Sequence, residues 1–360
     1  MKATLRTERL DLTEPLRISR STMSTRDAVR LTVEDTDGVR GHGEAVTSVY
    51  YGLDTDTLVR HLSAVDLTRY PNPETALDDD ELTGAGTPPA VTAAVESALL
   101  DLVGKRAGRP AHAVLGFPEP PVAATARTIG IVPLDQAATE ARKLAASGFA
   151  VIKVKAGVAD DVLERVRVIR DAAPGARLLL DPNGAWSVAD SLRLLPRLAE
   201  LGVEAVEQPL APGDPEALAA LAAESPVPVI ADEDAVRIED VRRLAGRVQG
   251  VNVKLAKCGG VRSALRIAEL VEGSGTSLML GCLTASSLGI APAVHLVGRA
   301  RWVDLDGHLL LARDPWRGIG GEDGVVRASG LPGLGVVRAE PQATSATSVP
   351  VEEAARAHMA

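Results

Sequence analysis

The chain has 360 residues and a formal net charge of −9, a balance that disfavours a nucleic-acid-binding surface. Hydrophobic residues make up 46% of the chain and charged residues 24%, as in ordinary soluble globular proteins. No apolar run is as long as a membrane span, and the first residues lack the apolar centre of a signal peptide, so a cytoplasmic protein is expected. Cys258 and Cys282 lie in or beside predicted strands, where reduced thiols are expected.

The first part of the chain, residues 1–120, predicts an α+β domain. Alternating polar and apolar residues predict antiparallel strands near Ala3–Leu12, Arg26–Glu34 and Val39–Ala45. The segment Pro88–Gly104 begins with proline, is rich in Ala and Leu and ends at glycine, which is typical of a helix. Antiparallel strands followed by helices favour the α+β class.

From Pro121 onward, short apolar segments alternate with helical ones. Strict alternation of strands and helices predicts a parallel α/β fold. An open doubly wound sheet would place its ligand at one switch point, whereas here polar residues follow strand after strand, which favours a closed barrel. The eight predicted strand segments are VAATART, AVIKVK, RLLLD, EAVEQ, VPVIAD, GVNVKL, SLMLG and RWVDLD.

Three acidic residues follow consecutive predicted strands. Asp181, Glu207 and Asp232 are separated by 26 and 25 residues, about one strand-and-helix unit of a barrel. Since the carboxyl ends of barrel strands carry the functional groups, these side chains are expected to converge. Three oxygen ligands without His or Cys favour Mg²⁺, with Mn²⁺ as the alternative. A single such acid would more often cap the next helix, but three in succession favour a metal site.

Lysines are placed on both sides of these acids in the sequence. Lys153 and Lys155 stand two positions apart in VIKVK and therefore share one face of the strand, the interior face in a barrel. Repulsion and burial both lower a lysine pKa, so Lys155, nearer the strand end, is the predicted base. Lys153 is predicted to tune it and to contact a substrate carboxylate. Lys254 directly follows the alternating run VNV and is the predicted second catalytic group, while Lys257 is interpreted as a loop residue.

The motifs KVK, DPNGAW, VEQPL, IADED and VNVKLAKCGG resemble, in order and spacing, those of the enolase superfamily, and within it the muconate lactonising enzyme subgroup. The resemblance implies a modified TIM barrel, (β/α)7β, over residues 121–310, below an N-terminal α+β capping domain. It also implies that residues 311–340 pack back on the capping domain; the composition of residues 341–360 predicts a flexible tail. The implied chemistry is removal of a proton α to a carboxylate through an enolate, with Lys155 and Lys254 on opposite sides of the α-carbon.

The eighth strand segment carries a second acidic pair. Asp304 and Asp306 stand two positions apart and are expected to share one face at the strand end, outside the predicted metal site. Such a pair favours a cation, for which a substrate ammonium is the natural candidate. The pair is similar to the D-x-D motif of dipeptide epimerases, which holds the free α-amino group of a dipeptide. The alternative interpretation is a strand-end turn, since Asp-Gly is a common turn dipeptide.

Two further residues are predicted to contact the substrate. By resemblance, the N-terminal loop that carries Arg20 closes over the barrel mouth, where an arginine would favour an acidic C-terminal residue. Thr284, in the segment GCLTASSLG, is small and is predicted to leave room for the substrate.

The leading hypothesis is therefore a Mg²⁺-dependent dipeptide epimerase whose partner is a small dipeptide, with no nucleic acid or membrane involved. A homo-oligomer is left open. Other reactions of the subgroup are the alternatives: N-acylamino-acid racemisation, o-succinylbenzoate synthesis or cycloisomerisation. Racemisation of N-acylamino acids and o-succinylbenzoate synthesis involve no substrate ammonium and would not need the acidic pair. A barrel that only binds a ligand is a more distant alternative, which would be expected to have lost one of the ligands or lysines.

Overall fold

The computed structural model describes residues 1–157 and 161–339. Its N-terminal part is a three-stranded antiparallel sheet in the order β1-β2-β3. The strands are β1 (Lys2–Ile18), β2 (Ser21–Glu34) and β3 (Arg40–Val46). All three predicted strands are present, and β1 is longer than predicted because its pairing with β2 resumes after a register shift between Asp11 and Leu16.

Four helices complete the capping domain: α1 (Thr55–Ser63), α2 (Pro73–Asp78), α3 (Pro89–Ala107) and α4 (Ala111–Val114). The helix α3 is the predicted one and is buried along most of its length, because the sheet covers one side and the barrel another. Two glycines allow β3 to approach it closely: a Cβ at Gly41 or at Gly43 would lie 2.0 Å from a backbone oxygen of α3.

The remaining part of the chain forms a parallel eight-stranded sheet that curls into a nearly closed barrel. The strands follow one another in chain order around the barrel, so the predicted fold class is confirmed. They are β5 (Ala126–Ile129), β6 (Val151–Lys155), β7 (Arg177–Asp181), β8 (Val203–Glu207), β9 (Val229–Ala231), β10 (Gly250–Val253), β11 (Ser277–Gly281) and β12 (Trp302–Asp304).

Helices connect these strands on the outside of the barrel. They are α5 (Leu134–Ala146), α6 (Val162–Ala172), α7 (Val188–Glu200), α8 (Pro215–Glu224), α9 (Ile238–Leu244), the short α10 (Leu255–Cys258), α11 (Val261–Val271) and α12 (Ser287–Val294). Within the described residues no helix is long and apolar enough to cross a membrane.

The first predicted barrel strand, VAATART, is two strands rather than one. Its first half, β4 (Val122–Ala124), leaves the barrel and pairs with β14 (Val325–Arg327) of the C-terminal segment. The break falls at Thr125, whose hydroxyl oxygen accepts a hydrogen bond from the Leu305 N–H at 2.9 Å and so joins the last strand of the barrel to the first.

The C-terminal segment contacts the capping domain. Leu311 forms a bridge with Leu12 of β1, and Gly333 forms one with Pro110 beside α4. The segment also contains a small antiparallel pair, β13 (Trp316–Arg317) and β15 (Val337–Arg338). The division of the chain at residues 120, 310 and 340 stays a prediction, and the predicted tail, residues 341–360, lies outside the described residues.

An apolar layer fills the lower part of the barrel interior. It consists of one residue from each of seven strands: Ala126, Val151, Leu179, Ala205, Ile230, Met279 and Trp302. Side chains two positions further along a strand point the same way. The next interior layer therefore contains Lys153, Asp181, Glu207, Asp232 and Asp304, so a polar layer lies directly above a sealed apolar floor.

Candidate active site

The predicted functional residues lie at the carboxyl ends of the barrel strands. Lys155, Asp181 and Glu207 are the last residues of β6, β7 and β8. Asp232 and Lys254 directly follow β9 and β10. Strand order therefore brings the three carboxylates side by side on neighbouring strands and sets the two lysines on opposite walls, four strands apart.

Lys153 and Lys155 contact the same carboxylate. Lys155 Nζ donates to Asp181 Oδ2 at 2.5 Å, and Lys153 Nζ lies 3.1 Å from the same oxygen. Lys153 also lies 2.5 Å from Glu207 Oε2 and 2.8 Å from Asp304 Oδ2. Both lysines thus point into the barrel, as the alternation predicted, and Lys153 is enclosed by acids on three sides.

The acids around Lys153 reverse one expectation. Burial lowers the pKa of Lys153, but the carboxylates of Asp304, Glu207 and Asp181 outweigh burial and hold that pKa well above its ordinary value. The predicted lowering by repulsion between lysines is therefore wrong for Lys153, because three nearby negative charges count for more than one positive one.

The opposite wall repeats this arrangement around Asp232. Lys254 Nζ donates to Asp232 Oδ2 at 2.7 Å, and Lys257 Nζ donates to Asp232 Oδ1 at 2.6 Å. Lys257 Nζ also donates to the backbone oxygens of Asp232 at 2.5 Å and Asn252 at 2.8 Å. The interpretation of Lys257 as a loop residue is wrong: it is 2% exposed, lies in α10, and all three of its N–H groups have acceptors.

The acids around Lys254 raise its pKa. Burial alone would lower its pKa, but the carboxylates of Asp232 and Glu207 raise it above the ordinary lysine value. Its Nζ lies 4.0 Å from Glu207 Oε1, so Lys254 has one close carboxylate partner, and its side chain is 13% exposed.

Glu207 lies between the two walls and carries the least compensated charge. Burial, and then repulsion from Asp181, raises the pKa of Glu207 to about 7. Asn252 Nδ2 donates to its Oε1 at 2.7 Å, while its Oε2 contacts Lys153 without hydrogen-bond geometry. Among the described residues no three acids converge on one point as a ready metal shell. The donor set nevertheless fits Mg²⁺, because three neighbouring strands supply buried carboxylates, the ligands that this hard cation prefers, and Glu207 Oε2 is buried without a hydrogen-bond partner.

The predicted acidic pair is present but its two members have different surroundings. Asp304 lies in the barrel interior, where Oδ2 binds Lys153 and Oδ1 is buried without a hydrogen-bond partner. Asp306 Oδ2 instead accepts from the Thr128 N–H at 2.7 Å and from Arg127 at 3.2 Å. Asp306 therefore joins β12 to β5 across the open side of the barrel, and the two carboxylates do not share one set of contacts.

Arg20 reaches the barrel mouth from the turn between β1 and β2. Its guanidinium binds Glu233 Oε1 at 2.5 Å, donates to the Asn183 backbone oxygen at 3.3 Å and lies 4.3 Å from the centre of the Tyr50 ring. Glu233 and Asn183 neighbour two of the predicted metal ligands, so Arg20 lies beside the site, and its contact with the substrate stays a prediction. Thr284 is buried in the loop after β11, next to Gly307.

Sequence reasoning missed several polar residues that orient the acids. Asn252 stands two positions before Lys254 on β10, so strand alternation could have placed it in the interior. Gln208 follows Glu207 with a positive φ of 37° and accepts from the Asp232 N–H at 2.9 Å. No periodicity marks Gln208, because it lies just beyond the strand.

Family models match both parts of the chain. Residues 1–116 match the model of the mandelate racemase / muconate lactonizing enzyme N-terminal domain, and residues 136–341 match the enolase C-terminal domain-like model. The L-Ala-D/L-amino acid epimerase of a Maribacter species is 32% identical over 93% of this chain and 99% of its own. The L-Lys-D/L-Arg epimerase of Methylococcus capsulatus is 35% identical over 92% of this chain and 97% of its own. The crystal structure of the Enterococcus faecalis dipeptide epimerase, complexed with Mg and L-Leu-L-Tyr, superposes with a TM-score of 0.88 at 28% identity, covering 93% of this chain and 99% of that chain.

Proposed function

The chain belongs to the mandelate racemase / muconate lactonizing enzyme family of the enolase superfamily, and we propose that it is a Mg²⁺-dependent dipeptide epimerase. The observation that carries this proposal is the pair of lysines, Lys155 and Lys254, on opposite walls of a barrel whose intervening strands end in three carboxylates. The two relatives named as epimerases and the Enterococcus faecalis dipeptide epimerase, which align over almost the whole chain, support it.

Asp181, Glu207 and Asp232 would hold the metal ion. Bound there, Mg²⁺ would offset the negative charge that develops on the substrate carboxylate when the α-proton leaves. Asn252 fixes Glu207, and Lys257 fixes Asp232, so two of the three ligands are oriented from the β10 side before any cation binds.

The two lysines on opposite walls suit a 1,1-proton transfer. Lys155 takes the α-proton from one face, and Lys254 returns a proton to the other face. The opposite direction exchanges the two roles. Because each face has its own lysine, the configuration of the α-carbon inverts.

Recognition of the substrate involves the remaining residues. Lys153 stands beside two of the proposed metal ligands, where it would add positive charge near the substrate carboxylate. Asp304 offers the α-ammonium a buried carboxylate oxygen without a partner, and Asp306 borders the same end of β12. Arg20 and Thr284 would border the side chains of the dipeptide.

The second candidate function is N-acylamino-acid racemisation, which is favoured by one observation. Asp306 Oδ2 already binds Thr128 and Arg127, and Asp304 Oδ2 already binds Lys153, so the protein itself occupies one oxygen of each acid. An N-acylated substrate has no ammonium and would not need either acid.

Incubation in D₂O with Mg²⁺ separates the two functions. A library of free dipeptides and a matched set of N-acetylated amino acids are followed by mass spectrometry for uptake of deuterium at the α-carbon. We expect uptake into free dipeptides, together with formation of the second epimer. Uptake into the acetylated set alone would replace the dipeptide function by the racemase one.

A further inference from the structure

One buried carboxylate joins the capping domain to the barrel wall that carries Lys254. Glu96 lies in α3 and is 4% exposed. Its Oε1 accepts a hydrogen bond from the backbone N–H of Arg262 at 3.0 Å. Arg262 belongs to the first turn of α11, so an acid of one domain binds the start of a helix in the other.

The start of α11 lacks an acceptor of its own. The first N–H groups of a helix have no partner inside the helix, and a side-chain oxygen at the N-cap usually accepts one of them. The N-cap of α11 is Gly260, which has no side chain. Glu96 supplies the missing oxygen, and its negative charge lies at the positive end of the helix.

Gly260 also makes room for this carboxylate. Its φ is +115°, which favours glycine, and a Cβ at this position would lie only 1.8 Å from Glu96 Oε2. The second glycine of the motif KCGG therefore suits its own backbone conformation, and its lack of a side chain leaves room for Glu96.

A short rigid turn connects this contact to Lys254. The backbone N–H of Gly260 donates to the Leu255 oxygen at 3.0 Å, and that of Cys258 donates to the Lys254 oxygen at 3.0 Å. Lys257, inside the same turn, binds Asp232. The turn is thus fixed at one end by Glu96 and in its middle by Asp232, and its other end presents Lys254 to the site.

We propose that Glu96 is a positioning residue for Lys254: by capping α11 from the capping domain, it holds the turn that carries this lysine at the barrel mouth. The role rests on the proposed function, since it assigns Lys254 to one face of the substrate. Lys155 lies four strands away on β6 and pairs with Asp181, so the role applies to Lys254.

Burial and the neighbouring groups of α11 act on Glu96 in opposite directions. Burial raises its pKa to about 7, opposed by the N–H groups of Arg262 and Val261. The positive charges of Arg262 and Arg266 on α11 also lower this pKa, and Asp80 pairs with both guanidinium groups.

Deuterium uptake at the two faces of the α-carbon tests this role. Uptake is measured from each epimer separately, with Lys155→Ala and Lys254→Ala identifying which lysine serves which epimer. We expect Glu96→Ala to lower the uptake served by Lys254 about tenfold, because a small displacement of a catalytic group is costly. Uptake served by Lys155 should keep the wild-type rate. Glu96→Gln, which retains an oxygen acceptor of the same length, should restore most of the loss.

Asp101 provides the matched control. It lies one and a half turns further along α3 and is 1% exposed, but it accepts from the N–H groups of His42 and Leu334, outside the barrel wall. Asp101→Asn should keep the wild-type ratio of the two uptakes. Equal losses at both faces in Glu96→Ala, or a changed ratio in Asp101→Asn, would overturn the positioning role while leaving the proposed function intact. A wild-type enzyme that exchanges neither epimer would overturn the function itself, and the role of Glu96 with it.

Discussion

Two opposite walls of the barrel each hold one buried aspartate with two lysines, but they place the lysines on different backbone structures. On the β6 side, Asp181 is held by Lys153 and Lys155; on the β10 side, Asp232 is held by Lys254 and Lys257. In each pair one lysine is deeply buried, with a side chain 1–2% exposed, and the other is 12–13% exposed toward the mouth. Each wall therefore combines a lysine that holds the acid in place with a lysine that is able to meet a substrate.

The backbones of the two walls differ. Lys153 and Lys155 use the two-residue alternation of a strand, whereas Lys254 and Lys257 are three residues apart, across the end of a strand and one turn of α10. The partners differ as well, because Lys153 contacts three carboxylates while Lys257 contacts one carboxylate and two backbone oxygens. Equivalent electrostatic roles thus do not require equivalent sequence spacing.

The largest expected effect is the same on both walls. Asp181→Asn, Glu207→Gln and Asp232→Asn should each abolish epimerisation, because each removes one of three charges that would hold Mg²⁺. Activity and calorimetric Mg²⁺ binding measure the loss, and circular dichroism checks that the fold persists. Full activity after exhaustive chelation would contradict the metal site.

The partly exposed lysine of each wall should serve one face of the α-carbon. Lys155→Ala and Lys254→Ala should each stop epimerisation, since removing a general base or acid costs roughly 10²–10⁴-fold. Each variant should still exchange the α-proton of one epimer, because the other face keeps its lysine. Deuterium uptake from the separate epimers is the measurement. If Lys257→Ala were inactive and Lys254→Ala active, the second catalytic residue would be Lys257.

The two walls also differ in how much of their structure the sequence predicts. The β6 wall was predictable, because alternation in VIKVK places both lysines inside the barrel, and the three acids recur at the spacing of one barrel unit. On the β10 wall, the strand period ends at Val253, so it carried no information about Lys257, whose burial depends on the packing of α10 against α3. For the same reason the pairing of Asp306 with Arg127 was missed, since it depends on how the barrel closes between β12 and β5.

Lys153 and Lys257 are the buried lysines of the two walls, and they should affect stability more than the partly exposed lysines. Removing one partner of a buried ion pair leaves an uncompensated charge and costs roughly 3–5 kcal/mol. Lys153→Met should cost more than Lys257→Met, because Lys153 compensates three carboxylates, whereas Asp232 keeps Lys254 when Lys257 is lost. The free energy of unfolding from urea titrations measures both. A smaller loss for Lys153→Met than for Lys257→Met would contradict the idea that the number of compensated carboxylates decides the loss of stability.

Asp304 at the end of β12 pairs with Lys153 of the β6 wall, and its substitution should have the smallest effect of these changes. Its buried Oδ1 lacks a hydrogen-bond partner, whereas Asp306 is bound by Thr128 and Arg127. A hydrogen bond to a charged group contributes about 1.5–3 kcal/mol, so losing it should lower kcat/KM for free dipeptides roughly ten- to a hundred-fold. Asp304→Asn should therefore lower kcat/KM for free dipeptides far more than for their N-acetylated analogues.

Asp306→Asn should show the same selectivity only if its carboxylate also reaches the ammonium group. If Asp306 acts solely across the gap between β12 and β5, kcat/KM should fall equally for both kinds of substrate. Equal losses in both variants would favour the racemase function over the dipeptide one.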